Sequence, residues 1–549
     1  MIILKFKVRI NDEIINCDGP ISLMDLNKNK DYEYICANVN NRIRELSFII
    51  DRECDIEFLN LTNQEAMRIY EASIRYLMCM AVYNVLPNKD IEFKNSISRS
   101  ILCQFKDSKI KVDNQIVNLI NEEMKRLVEL DLPIKRVSLS KASASDYYEK
   151  MGFINKLEVL KYRPDENVNL YKCGNYMNYM FSYMVPSTGY LKNFILRPYY
   201  PGLLIQYPRA DYNGQIPPFE DSPSLSNSLF KASKWSKICG GSYISSLNKK
   251  VEEDKTIELI NICETKHSNM LAELGEKISS NKENIRLIAI AGPSSSGKTT
   301  FSMRLQIELK TKGINPVMIS IDDYYLPRSM APLNDDGTPD LEHILALDID
   351  LFNRDMLDLI SGYEVTLPKF NFKTGLREEG KTIKVDQNQP IIIEGIHALN
   401  EKLTSLIPRH QKFKIYIAPQ IMMNIDSHNP INLTDIRLLR RLVRDKNFRG
   451  TDPRETFSMW ASVRRGEFRW IYPTQEEADY CYNSELTYEL CVLKKHALPM
   501  LEAIPRDDEY FIQANRLIKF LKLFKDISDK WVPCNSLLRE FIGDSCFHV

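Results

Sequence analysis

The first 266 residues contain no histidine, and the 12 cysteines of the chain form no CxxC pair. Hydrolytic zinc sites draw on imidazole or on several closely spaced thiolates, so the N-terminal half is not expected to hold one. Cysteines scattered from Cys17 to Cys546 fit a reducing compartment and small core positions better than a disulfide framework. Charge of either sign is not in excess, with 73 Lys plus Arg against 73 Asp plus Glu, so no global field draws a polyanion and only a local patch could bind one. No apolar run approaches the roughly 18 residues of a spanning helix; the longest lies near Tyr76 to Leu86. The opening MIILKFKVRI is broken by Lys5 and Lys7 and lacks a small-residue cleavage site, so it reads as a strand and not as a secretory signal. A cytoplasmic protein with no membrane contact is expected. Internal repeats and low-complexity tracts are absent as well.

What is present is enough for several cores. At about 150 residues per domain, 549 residues imply three to four domains. Residues 1 to about 60 alternate in short β-type runs around turn signals such as Asp18-Gly19-Pro20. From Asn63 to Leu86 the periodicity is helical and stops at Pro87. Residues 211–226 have the Pro, Asn, Gly and Ser content of a connector, and Val251 to Ser280 reads as one long charged helix. From Ile285 to about residue 525, β-rich and helical segments alternate, which predicts a parallel α/β sheet flanked by helices.

The segment IRLIAIAGPSSSGKTTFSMRLQIEL puts an apolar strand, a GxxxxGKT loop and an amphipathic helix in the order that gives this motif its meaning. Gly292 and Gly297 permit the tight turn, and the backbone amides across Ser294, Ser295, Ser296, Gly297 and Lys298 point at phosphate oxygens, with Thr300 following in the helix N-terminus. Lys298 is expected on the β- and γ-phosphates and Thr299 on Mg²⁺. A second strand, NPVMISIDDYY, closes on two carboxylates, and Asp322 is the candidate base for an acceptor hydroxyl. The buried-strand run QPIIIEGIHALN ends in Glu394, which fits a carboxylate held near Mg²⁺; an acid in that position can also only cap the next loop. In DIRLLRRLVRDKNFRG, Arg437, Arg441 and Arg444 share a helical face and could converge on one anion, with Arg449 just beyond.

Together GPSSSGKTT, SIDDYY, PKFNFKTGLRE, IIIEGIHAL and RLLRRLVRDKNFRG resemble the uridine kinase and phosphoribulokinase family. The resemblance implies a P-loop nucleoside kinase using ATP and Mg²⁺. In it Asp322 matches the base, Tyr325 the nucleoside pocket, Arg444 and Arg449 phosphate-contacting lid arginines, and Arg441 a residue near the ribose. A third lid arginine of the family falls at Thr451, and Leu345 stands where an Asp holds the sugar hydroxyls, with only Asp348 retained. Asp348, Phe370 and Arg377 join Tyr325 and Arg441 as candidates for the acceptor pocket. The N-terminal region is similar to threonyl-tRNA synthetases: residues 1–60 to the β-grasp TGS domain, and 61–210 to the α+β editing domain. Ala72 and Tyr76 then occupy the positions of that domain's HxxxH metal ligands, while Cys173 survives.

The expected organisation is therefore a TGS-like domain (1–60), an editing-like domain (61–210), a linker and helical connector (211–280), a P-loop kinase domain (281–525) and a C-terminal tail (526–549). The expected activity is ATP-dependent phosphorylation of uridine or cytidine at the 5′ hydroxyl. A kinase for a non-nucleoside sugar or polyol, and a tRNA-binding regulator that uses ATP as a signal, are the alternatives. A GTPase switch is disfavoured because no Asn-Lys-x-Asp motif follows the loop. A homo-oligomer is compatible with the sequence, and any nucleic-acid partner would be met through the N-terminal region. The run from Met184 through Pro186, Ser187, Thr188 and Gly189 reads as a structural corner or, less simply, as a ligand turn.

Overall fold

The computed structural model describes the chain except residues 1–4, 12, 28–31, 108, 335–336, 372–373 and 548–549. The start of the opening strand and Phe372 of the FNF run lie outside the described residues. The first sheet has five strands in the order Glu13–Cys17, Phe6–Ile10, Cys54–Asn60, Tyr34–Val39, Ile43–Glu45, and Val8, Ala37, Leu46 and Ile56 bury its inner face. Helix α1 (Gln64–Val85) follows, capped by the Asn63 side chain, which accepts from the Glu65 and Ala66 amides. It is buried on most of its circumference because it runs between this sheet and a four-stranded antiparallel sheet (Ile195–Tyr199, Gly202–Gln206, Ser100–Phe105, Ile91–Ile97). A helix apolar all round is what such a central position requires.

The long charged helix expected over Val251 to Ser280 forms as α2 (Thr256–Ser279), starting five residues later, after a separate helix Ile244–Glu252. The break falls at Asp254, whose φ of 59° is left-handed and ends the first helix. The connector around residues 211–226 also becomes helical earlier than its composition suggests, with Pro223 opening a helix that runs to Ile238.

The second half is a five-stranded sheet of β1 (Leu287–Ala291), β2 (Val317–Ser320), β3 (Ile391–Glu394), β4 (Lys412–Ala418) and β5 (Tyr480–Asn483), in the order β2-β3-β1-β4-β5. Every pairing is parallel. Strands with both faces covered read as near-continuous apolar runs, as LIAIA and IIIE do. Helix α3 (Lys298–Thr311) packs against it, and α4 (Leu433–Arg449) and α5 (Pro453–Gly466) follow in the same half in a core of their own. The segment after residue 525 packs back into this half, where Leu537, Leu538 and Phe541 are fully buried.

The two halves interlock through one hairpin. Asn424–Asp426 pairs with Asn429–Pro430 and enters the N-terminal half. The Phe93 amide donates to the Ser427 carbonyl at 2.9 Å, and the Arg75 guanidinium donates to the His428 carbonyl. At its centre Lys156 Nζ sits 2.7 Å from Asp426 Oδ1, with both side chains at most 3% exposed. Removing one member of such a pair leaves a buried charge uncompensated. Lys156→Met is expected to lower stability by about 3–5 kcal/mol in denaturant unfolding, and Lys156→Met with Asp426→Asn to recover part of it. Equal losses in the single and double variants would refute this account.

Candidate active site

The site is built at the C-terminal edge of the parallel sheet, where open α/β sheets bind ligands. β1 runs directly into the GPSSSGKT loop. Ser295 at φ 60° and Gly297 at φ 90° turn consecutive amides toward one point, a concavity suited to an anion. A Cβ at Gly292 would lie 2.0 Å from the Ile417 carbonyl oxygen, so only glycine allows β1 and β4 to meet there. The hydroxyls of Ser295, Ser296 and Thr300 are buried and without hydrogen-bond partners. Buried polar atoms are ordinarily satisfied, so this set fits a phosphate chain. Lys298 curls onto its own loop, donating to the Gly292 and Pro293 carbonyls at 3.0 and 3.5 Å.

Two flanking strands bring in the acids. In register, β3 places Glu394 beside Ile290 of β1 and Ser320 of β2, and Asp322 follows Ser320 in a short 3₁₀ turn. Asp322, Glu394 and Lys298 feel one another electrostatically, with burial the largest influence on each. Burial holds the Asp322 and Glu394 carboxyls above their ordinary range, with repulsion from Asp323 adding at Asp322 and from Asp322 at Glu394, while burial pulls the Lys298 ammonium below its own. Asp323 points the other way and accepts the Phe370 amide at 3.3 Å, so the two adjacent acids do different things. Among the described residues no group of three or more His, Cys, Asp or Glu could hold a metal. The donors at hand for a divalent ion are Thr299 and Glu394, a sparse set that suits Mg²⁺ completed by phosphate oxygens and water.

The arginines of α4 divide into two kinds, and the expected convergence of Arg437, Arg441 and Arg444 does not form. Arg437 is buried against Glu467 and donates to the Ser294 carbonyl at 3.0 Å. Arg440, fully buried, pairs with Glu489 at 2.6 Å and donates to the Ser295 carbonyl at 3.3 Å. Arg441, Arg444 and Arg449 instead gather on the buried Asp445, at 3.1, 3.2 and 3.4 Å. Arg441 also donates to the Ser294 hydroxyl at 3.0 Å. Helical spacing aligned the guanidinium groups, but it could not reveal which carboxylates from other elements would claim them. At the position of the missing third arginine, the Thr451 amide donates to the Asp445 carbonyl.

Among the acceptor-pocket candidates, Tyr325 packs against Phe370 with ring centroids 5.7 Å apart. Asp348 is already engaged: it caps the helix from Ile349 and accepts from Arg377 at 2.9 Å. Leu345 is half exposed. Sequence reasoning missed four groups. Glu342 is half-buried where Arg441, Asp322 and Lys298 all act on it, and desolvation pushes its carboxyl up to about 7. His397 and Trp470, with ring centroids 6.0 Å apart, carry buried ring nitrogens without partners. Glu540, from the C-terminal segment, accepts the Thr300 amide at 3.0 Å, and Leu537 of the same segment lies against Gly297. A carboxylate in the first turn of α3 occupies the kind of position a phosphate takes. Glu342, His397 and Trp470 have no local motif; an unpaired His in IIIEGIHAL was the one available signal.

In the N-terminal half, Ala72, Tyr76 and Cys173 are core residues, and the Tyr76 hydroxyl donates to the Tyr171 and Tyr176 carbonyls. The Ser187-Thr188-Gly189 turn is closed on itself: Thr188 accepts from the Leu132 amide and donates to the Leu127 carbonyl, and the Asp131 carboxylate fills the space beside Gly189.

A mononucleotide-type parallel sheet with a phosphate loop after its central strand and acids at the ends of the adjacent strand and of the strand beyond it defines the P-loop kinase class. Residues 287–487 match the phosphoribulokinase/uridine kinase family. A uridine kinase from Bacillus pumilus is 32% identical over 195 residues, 35% of this chain and 83% of that protein. A threonine–tRNA ligase from Carboxydothermus hydrogenoformans is 28% identical over 201 residues, 36% of this chain, which spans about a third (31%) of the ligase's length. The solved structure described as a possible uridine kinase from Bacillus stearothermophilus aligns at 18% identity and TM-score 0.25, over 36% of this chain and 89% of that one. The chain belongs to the phosphoribulokinase/uridine kinase family, with threonine–tRNA ligase relatives over its N-terminal part. Among the described residues no helix is long and apolar enough to cross a membrane.

Glu342 gives a pH test. Its folded pKa lies above the unfolded value, so the native state binds more protons between about pH 4.5 and 7, and stability falls as pH rises through that window. Glu342→Gln removes the loss. The variant is expected to match the parent near pH 4.5 and to exceed it by up to about 3 kcal/mol at pH 8 in thermal unfolding. Parallel pH curves for the two proteins would show that Glu342 is ionised without penalty.

Proposed function

We propose that this chain transfers the γ-phosphoryl group of ATP to the hydroxyl of a small metabolite, most simply the 5′ hydroxyl of uridine or cytidine. The observation that carries the reading is the grouping of Asp322, Glu394 and Lys298 around a loop whose inward hydroxyls lack partners. The loop amides and Lys298 would bind the phosphate chain, Lys298 exchanging its two backbone carbonyls for phosphate oxygens. Thr299 and Glu394 would hold Mg²⁺, which supplies charge neutralisation between the phosphates when bound. Asp322 would accept the proton of the attacking hydroxyl, and burial, which raises its carboxyl above the ordinary range, makes it a stronger base than an exposed carboxylate. Arg444, Arg449 and Arg441 would release Asp445 in part and stabilise the charge on the transferred group. Tyr325 and Phe370 would form an apolar wall for the acceptor, with Glu342 and the unpartnered ring nitrogens of His397 and Trp470 as its polar edge.

A second reading, a non-nucleoside sugar or polyol as acceptor, is favoured by Leu345 at a position where an acid is expected and by Asp348 being committed to Arg377. A Mg-ATP assay over nucleosides, sugars and polyols separates the two. Asp322→Asn and Lys298→Ala are each expected to lose at least about 100-fold in turnover while remaining folded. Turnover like the parent's in Asp322→Asn would remove the carboxylate from the mechanism. Glu540 competes with phosphate for the α3 N-terminus, so Glu540→Gln should lower the KM for ATP by about 3–10-fold with kcat little changed. A raised KM would instead make Glu540 part of the nucleotide site.

A further inference from the structure

Away from the phosphate loop, a cavity of about 550 Å³ opens where the first sheet, helix α1, the three-stranded sheet around Asn169–Tyr171 and helix α4 meet. Its lining holds eight Lys or Arg and four Asp or Glu, an excess of four positive charges in a chain with none overall. Three of the four acids are already engaged. Asp435 takes Arg68 at 3.5 Å and also Arg516, Glu65 lies 3.7 Å from both, and Glu71 accepts the Tyr207 hydroxyl at 2.9 Å. Arg42 and Arg163 form no ion pair among the described residues; Arg163 lies over the Tyr179 ring at 4.4 Å, and Arg42 faces Arg44 and Arg506.

The Nε atoms of Arg42, Arg68, Arg75, Arg163 and Arg516 are all buried and without a hydrogen-bond partner; those of Arg68 and Arg516 lie 3.7 Å from Glu65 and that of Arg75 3.9 Å from Glu71, whereas those of Arg42 and Arg163 have no acid within ion-pair distance among the described residues. The two unpaired ones, of Arg42 and Arg163, are costly unless an anion satisfies them, because an unmet buried donor forfeits its hydration. Guanidinium forks match phosphate oxygens. Tyr179, Phe181 and Tyr183 add aromatic surface to the same walls. The volume falls within the range of small-ligand sites. The interspersed acids suit a monoester dianion better than an RNA backbone.

We propose that this junction cavity is a second binding site, for a phosphate monoester carrying a flat ring, the nucleoside monophosphate class. The inference does not rest on the reaction proposed for the phosphate loop. It has a structural consequence all the same. Asn432 and Asp435, the cap and first turn of α4, line the cavity, and the same helix carries Arg441, Arg444 and Arg449 to the loop.

The test is titration calorimetry of the full chain with uridine 5′-monophosphate, in the parent, in Lys298→Ala and in Arg42→Gln with Arg163→Gln. A binding component that survives Lys298→Ala and weakens at least about tenfold in the double variant is the expected result. Thermal melting of each variant checks folding, and Arg42→Gln alone serves if the double variant fails that check. Binding that is absent in Lys298→Ala, or equal with and without the two arginines, would overturn the proposal. Arginine-dependent binding of an RNA oligonucleotide with none of the monophosphate would overturn it in favour of a nucleic-acid site. Loss of phosphorylation in Asp322→Asn bears only on the kinase reading, so the two can fail separately.

Discussion

The phosphate loop is held from outside by two buried guanidinium groups. A run of Gly and Ser has little packing of its own, and its amides can converge only if its carbonyls are fixed elsewhere. Arg437 and Arg440 supply that fixation by donating to the carbonyls of Ser294, Ser295 and Ser296, while Glu467 and Glu489 neutralise them. A buried pair of this kind contributes little net stability against an apolar alternative, yet losing one partner is costly, so it acts as a geometric constraint. The loop, α4, the turn after α5 and the helix from Glu489 are thereby one unit. Preorganisation of the site depends on that unit before any ligand arrives.

Within this frame the charge distribution is poised and not relaxed. Asp322, Glu394 and Glu342 are crowded and desolvated, and each is held toward its protonated form. Lys298, the nearest cation, is spent on backbone carbonyls. Across the gap, Arg441, Arg444 and Arg449 share one carboxylate, Asp445, which cannot satisfy three guanidinium groups at full strength. A phosphate chain with its cation would relieve both sides, bringing positive charge to the acids and negative charge to the arginines. Glu540 already plays a small part of that role at the α3 N-terminus.

The strand-loop-helix order around Gly292 and the two acid-bearing strand ends were legible in the sequence because each is local: one element, one turn, one side chain at its end. The parallel sheet followed from the apolar runs of β1 and β3. Partners were not legible. Nothing in DIRLLRRLVRDKNFRG distinguishes Arg440, which braces the loop, from Arg441, which reaches the Ser294 hydroxyl, since both sit on one helix and their carboxylates come from residues 489 and 445. Asp348 and Arg377 were read as separate contacts for an acceptor and turn out to be paired with each other across 29 positions. Glu540 lies some 240 residues from the loop it touches, beyond any pattern of spacing. The start of α2 was set five residues early because a single left-handed residue, Asp254, leaves hydrophobic periodicity almost unchanged.

The N-terminal half is bound to this machinery more closely than an appended module would be. The hairpin Asn424–Pro430 leaves the parallel sheet after β4, buries Asp426 and His428 among N-terminal residues, and returns as α4. Any shift of the hairpin is therefore a shift at the start of the helix that braces the loop and carries the free-facing arginines. Asp435, in the first turn of that helix, is held by Arg68 from α1 and by Arg516 from the C-terminal helical region, so three parts of the chain meet at one carboxylate. Buried, paired charges favour discrete arrangements over graded ones, because intermediate positions leave groups unsatisfied. A chain built this way gives its N-terminal half a mechanical hold on the arginines that its C-terminal half brings to the phosphate loop.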